Sequence, residues 1–180
     1  MDDLSRERAL REIASDARLA AVYRYWCTLC RENDVPEAHQ FDPVDLPGAV
    51  LPYLTLLDVI DGGHFFRVRL VGTATTIAVG HNATGSNLDA SATGDAVIAA
   101  LRRYRAVLEA RRPVLDVVFY ETPDARFTNR LLTLPLSTER DAIDRLLGVY
   151  SPTSLSLAKE FLRALTPPAN ANTLRSRAIL

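Results

Sequence analysis

Lysine is all but missing from this 180-residue chain: Lys159 is the single lysine among 21 basic residues, the rest being arginine. That bias marks a GC-rich coding genome more than a mechanism. An excess of either charge is missing too. The 21 basic and 22 acidic side chains leave a formal net charge of −1, which argues against a dedicated nucleic-acid binder, whose affinity needs a basic face. No apolar run approaches the ~20 residues that span a bilayer, and residues 1–8 are charged rather than signal-like. The expectation is a cytoplasmic protein without a membrane anchor. Cysteine is limited to Cys27 and Cys30, too few for a disulfide scaffold. What is present is ordinary: a 48% hydrophobic and 24% charged composition fits one domain with appendages.

Residues 2–32 contain no Gly or Pro and read as one long helix. Leu10, Ile13, Ala14, Ala17, Ala20 and Ala21 repeat at helical spacing, and Val22, Trp26 and Leu29 form a bulkier stripe expected to pack on a core. Asp45 is the candidate N-cap of a short helix with Pro47 in its first turn, stopped by Pro52. Strand-like runs follow at residues 53–60 and 64–72, joined by Asp61-Gly62-Gly63, a hairpin turn. Residues 96–111 form a second clear helix, with Val97, Leu101, Tyr104 and Leu108 on one stripe. Three more strands are expected at 114–121, 127–136 and 146–151, then a closing helix at 154–165. Residues 167–180 lack apolar periodicity and read as a mobile tail.

Hairpins at both ends of the chain with helices between them imply an antiparallel sheet with helices on one face, which leaves room for a pocket between the layers. The residues point the same way. Tyr25-Trp26, the run Phe41-Asp42-Pro43-Val44-Asp45-Leu46-Pro47, and Leu51-Pro52 open a recognisable pattern. Leu57-Asp58-Val59, residues 66–73, Gly80, Thr84-Gly85 and Leu134-Pro135-Leu136-Ser137 continue it in order. Over residues 25–150 this set resembles a bacterial family of short, stand-alone PAS-like proteins. The resemblance implies an α+β fold, a PAS-like five-stranded antiparallel sheet with added N-terminal and C-terminal helices. Its expected divisions are an N-terminal packing or dimerisation helix at 1–36, the PAS-like domain at 37–151, a C-terminal helix at 152–166 and a flexible tail at 167–180.

The chemical motifs are weaker. Cys27-Thr28-Leu29-Cys30 has redox spacing, but it falls near a helix C-terminus, where no dipole lowers a thiol pKa. A zinc site would need two further ligands, with only His39, His64 and His81 on offer. Residues 80–86 have the outer spacing of a phosphate loop without its lysine. His64, Asp58 and Ser137 lack any elbow motif that would join them as a triad. Neither a catalytic set nor a metal site is expected. Flavin is disfavoured because residues 73–94 hold no cysteine, and haem because residues 96–111 hold no histidine. Arg67 and Arg69 read as solvated strand charges, pairing with Asp58. Arg130 could reach an anion in the pocket, its face being undecided.

The candidate pocket joins Phe66, Val68 and Leu70 on the sheet to Tyr104 and Leu108 on the long helix, with Val117, Phe119, Leu132 and Leu134 completing the wall beside Leu115 and Leu136. If it is a cavity, a small hydrophobic ligand suits it; the same residues packed together make a plain core. The functional expectation is a non-enzymatic sensory or adaptor protein in bacterial signal transduction, homodimeric through its first helix and contacting a signalling partner. The alternative is a small-molecule binding domain whose ligand is the main function.

Overall fold

The computed structural model describes residues 3–30, 35–89, 91, 95–121, 126–138, 142–154 and 172–180. The leading helix is broken, contrary to the single helix that the lack of Gly and Pro suggests. α1 (Asp3–Ala14) and α2 (Ala17–Leu29) meet at Ser15 and Asp16. Asp16 is extended, and its Oδ1 accepts from the amides of Arg18 and Leu19 at 3.0 and 3.2 Å. An aspartate at that position satisfies free amides and starts a new helix, so no proline is needed to end the old one. The proline-rich segment differs likewise. Its 3-10 turn, Pro43–Asp45, is capped by Asp42, whose Oδ1 accepts from the Val44 amide at 2.9 Å. Asp45 instead accepts from the Tyr25 hydroxyl at 2.7 Å, and Pro52 lies inside the turn Leu51–Tyr53 rather than ending a helix.

β1 (Leu54–Ile60) and β2 (Phe65–Val71) form the expected hairpin, with Asp61, Gly62 and Gly63 all at positive φ. β2 runs into α3 (Thr73–Val79) through Gly72. A Cβ there would stand 2.2 Å from the Pro52 carbonyl oxygen, so only glycine permits this approach. Next come β3 (Asn87–Leu88), α4 (Asp95–Ala110), β4 (Val114–Glu121), β5 (Arg126–Leu136), β6 (Arg145–Pro152) and β7 (Asn172–Ile179). The sheet order is β3-β2-β1-β6-β5-β4-β7, and each neighbouring pair is antiparallel.

The five expected strands form the middle of this sheet, and β3 and β7 widen it to seven. β7 corrects the reading of residues 167–180 as a tail: 172–179 pair with β4 along its length, from Val114↔Ile179 to Glu121↔Asn172. The closing helix expected at 154–165 falls almost wholly outside the described residues.

The expected helical layer covers one face of the sheet, and the added N-terminal helices lie on the other. α4 packs over β4 and β5, while α2 packs on β6 and α1 on β7. Each face has its own core. On the α4 side Leu57, Phe66, Val68, Leu101, Tyr104, Val107, Val114 and Leu146 are buried together. On the α1–α2 side Ala9, Ile13, Leu19, Val22 and Trp26 meet Leu115, Val117, Leu132, Leu134, Leu136, Leu147 and Val149. The sheet is a partition between them. Among the described residues no helix is long and apolar enough to cross a membrane.

Candidate functional site

The partition divides the candidate pocket. Phe66, Val68, Tyr104 and Leu108 pack in the α4-side core, whereas Val117, Phe119, Leu132 and Leu134 pack on the opposite face with Leu115 and Leu136. Leu70 is 48% exposed and lines neither. The error is one of parity. In β4 it is Val114 and Asp116, not Leu115 and Val117, that turn toward α4. Strands buried on both faces are apolar at odd and even positions alike, so alternation gives no signal there. On the α4 side the packing is close: the Phe66 and Tyr104 rings stand 5.2 Å apart, tilted by 51°. A Cβ on Gly63 would come within 2.6 Å of Leu108 Cδ1.

What the α4 face brings together instead is a polar group that sequence reasoning missed. Asp116, buried in the middle of β4, accepts from Arg177 of β7 at 2.6 Å (Nε to Oδ1) and 2.8 Å (NH2 to Oδ2). Arg103 of α4 is buried as well; its NH1 lies 3.4 Å from Asp116 Oδ2 and its Nε donates to Thr133 Oγ1 of β5 at 3.0 Å. The Arg103 guanidinium also stands 5.3 Å from the centroid of the Tyr104 ring. The hydrogen bonds to Asp116 hold the Arg177 pKa above its ordinary value. One carboxylate thus ties a helix and the edge strand to the sheet, with two guanidinium groups offsetting its burial. The available signal was Asp116 itself, a lone charge within Val-Leu-Asp-Val-Val-Phe.

The α1–α2 face has its own ties. The Trp26 indole N–H donates to the Pro135 carbonyl at 2.8 Å, fixing α2 on β5 as expected of that aromatic. Arg130 faces α1 rather than a pocket, donating from Nε to Glu12 Oε2 at 2.9 Å. Between α1, β4 and β7 lies a cleft of about 90 Å³.

Arg69 pairs with Asp58 at 3.6 Å, as expected, and Arg145 joins them at 3.7 Å. Asp58 is therefore engaged with arginines, and Ser137 lies in a bridge to Glu37 beside Pro36 and Ala38. Gly80 closes α3, its amide donating to the Thr76 carbonyl, and opens no helix toward a phosphate. Cys27 and Cys30 sit at the last turn and cap of α2. Burial pushes both thiols up, Cys30 to about 11, the reverse of what a reactive dithiol needs. Burial also pushes the neighbouring Tyr23 hydroxyl up to about 12. Among the described residues no three His, Cys, Asp or Glu side chains are grouped to hold a metal.

An antiparallel sheet of order β2-β1-β6-β5-β4, with α3 and α4 inserted between its two halves, is the arrangement that the ordered motifs implied, and the model of the PAS domain matches residues 14–151. The chain belongs to the PAS domain family. A PAS domain is a sensory signalling module, and the match extends over α2 as well as β1 to β6, leaving β7 outside it. No curated protein matches the chain in sequence.

Solved structures similar to this PAS domain include three light-oxygen-voltage (LOV) domains. One, studied with a flavin analogue, is 20% identical with a TM-score of 0.40, covering 64% of this chain and 87% of that one. The LOV protein of Rhodobacter sphaeroides is 24% identical with a TM-score of 0.40, covering 59% and 64%. The LOV domain of the Erythrobacter litoralis EL346 blue-light activated histidine kinase is 21% identical with a TM-score of 0.39, covering 58% and 98%. At these values the likeness assigns no ligand to this chain. It does correct the expectation that flavin is disfavoured, because the neighbours found are LOV domains, one of them named with a flavin analogue.

Proposed function

We propose that the chain is a non-enzymatic PAS-type sensory or adaptor protein of bacterial signal transduction, cytoplasmic and homodimeric, acting through contacts with a signalling partner. The observation that carries this reading is the PAS match over residues 14–151. Its surface supports contact-based action. α1 buries Ala9 and Ile13 against the sheet and leaves Leu4 and Leu10 exposed, by 74% and 36%. Ala14 and Ala17 are exposed as well, so small side chains permit close approach of a second helix. Leu70, Ile77 and Val79 are further apolar side chains on the surface, from β2 and α3.

Light scattering after size exclusion tests the dimer. The unmodified chain should elute with twice the chain mass, and the Leu4→Glu/Leu10→Glu variant should elute as a folded monomer. A native chain that stays monomeric at high concentration overturns this arrangement.

A further inference from the structure

α1 and α2 pack over β7 and β6 and leave the β1–β2 end of the same face open. Leu56 of β1 marks that face: it packs toward the α1–α2 core and pairs with Leu70 of β2. Phe66 and Val68 turn to the α4-side core, so Phe65 turns the other way. Phe65 and Leu70 are 39% and 48% exposed. Between them lies a row of charge. Asp58 stands opposite Arg67 on one side and Arg145 on the other, and the irregular register beside Leu57 brings Arg69 onto the same face. Asp58 Oδ1 is 3.6 Å from Arg69 and 3.7 Å from Arg145 and makes no hydrogen bond among the described residues. Arg67 donates from Nε to Asn87 Oδ1 at 3.5 Å. Three arginines thus share one aspartate, a positive excess set between two apolar side chains.

The converse pattern lies on α1. Ser5, Arg8, Ala9 and Glu12 line the cleft beside the sheet and Ile13 is buried. Helical spacing then puts Asp3, Leu4, Glu7, Leu10 and Arg11 on the outward side, all of them exposed. Glu7 sits between the two leucines and pairs with Arg11 one turn on.

We propose that α1 of one copy packs on the open β1–β2 face of a second copy, its leucines against Phe65 and Leu70 and its carboxylates against Arg67 and Arg69. The helices form a ridge about 10 Å high on one half of the face. α1 lies over β7 at one edge of the sheet, and β2 lies toward the other. A two-fold axis through the middle of the face therefore lays each ridge on the other copy's open half. Both contacts form at once, and the assembly closes as a dimer. Guanidinium groups bind carboxylates through a fork of N–H donors, and the apolar flanks keep water from those pairs. This inference rests on the homodimer reading above and specifies its interface.

Sedimentation equilibrium of the full chain tests it, with circular dichroism to confirm that each variant is folded. Arg67→Glu/Arg69→Glu should weaken self-association by roughly ten-fold or more, and so should Glu7→Arg. The chain carrying all three substitutions should return to within about three-fold of the native affinity, because the same pairs then meet with their signs exchanged. Phe65→Ser/Leu70→Ser leaves every charge in place and should also weaken association roughly ten-fold; it decides the matter if the arginine variant does not fold. Native affinity in the serine variant or in a folded arginine variant overturns this interface, as does a folded triple variant that recovers nothing, and each leaves the homodimer reading standing. A native chain that sediments as a monomer overturns both.

Discussion

Two residues show how single atoms constrain this PAS domain. Gly72 is required for proximity rather than for an unusual torsion: its φ is −67°, ordinary for any residue, but a Cβ would meet the Pro52 backbone. Gly72→Ala should cost about 2–3 kcal/mol in urea unfolding, the scale of a backbone shift in a packed site. A variant as stable as the parent would show that the Leu51–Tyr53 turn yields freely. Cys30 gives the pH dependence. Burial raises its thiol from 9.0 to about 11 in the folded chain, and the Tyr23 hydroxyl from 10.0 to about 12. The folded state holds both protons more tightly than the unfolded one, so this stability is complete below about pH 9 and is lost as pH rises through about 11 to 12. Denaturation midpoints should therefore decline across that window, and Cys30→Ala should flatten the decline between about pH 9 and 11. An equal slope in the variant assigns the loss to other groups.

The helices and strands differ in how much of themselves the chain displays. α4 was readable because its stripe is apolar on one side, and Leu101, Tyr104 and Leu108 do face the sheet. The break between α1 and α2 is not legible in the sequence, because a break made by a side-chain cap leaves no Gly or Pro behind. Asp16 does double duty there: Oδ1 caps α2 and Oδ2 accepts from the Ser151 hydroxyl at 2.6 Å, while Arg18 donates to the same hydroxyl at 2.7 Å. Asp16→Ala should lower stability by about 1–2 kcal/mol through loss of the cap. Asp16→Asn should recover most of that, because an amide oxygen still caps. Equal losses in thermal unfolding would place the effect in the charge and not in the cap. The 3-10 turn Pro43–Asp45 teaches the same lesson, since two aspartates three residues apart are equally plausible caps until Tyr25 claims one of them.

For the whole molecule, the decisive feature is a sheet with a core on each side. Had α1 and α2 stood free of it, the chain would tolerate their loss. Instead Leu115, Val117, Leu132 and Leu134 depend on them for cover. Removing residues 1–14 uncovers the part of that face beneath Ala9 and Ile13. The truncated chain should bind an apolar dye and melt several degrees lower, with the melt of the intact chain as reference. Unchanged melting would mean that α1 contributes contact but no stability. The same two-sided burial explains the divided pocket, and it moves attention from the nine candidate residues to Asp116 with its two arginines.

The five central strands and the long helix α4, the glycine hairpin, the core role of Trp26 and the PAS resemblance are all carried by local pattern. Turn torsions, helical stripes and ordered motifs depend on residues close together along the chain. Which face each strand turns to which helix was not local. Val114–Phe119 and Leu131–Leu136 are apolar nearly throughout, so a shift of one residue exchanges one acceptable core for another. The strand at 172–179 has its pairing partner more than fifty residues away, at 114–121. Arg103, Asp116, Thr133 and Arg177 come from four separate elements, and only packing and charge neutralisation in the folded sheet bring them to one point.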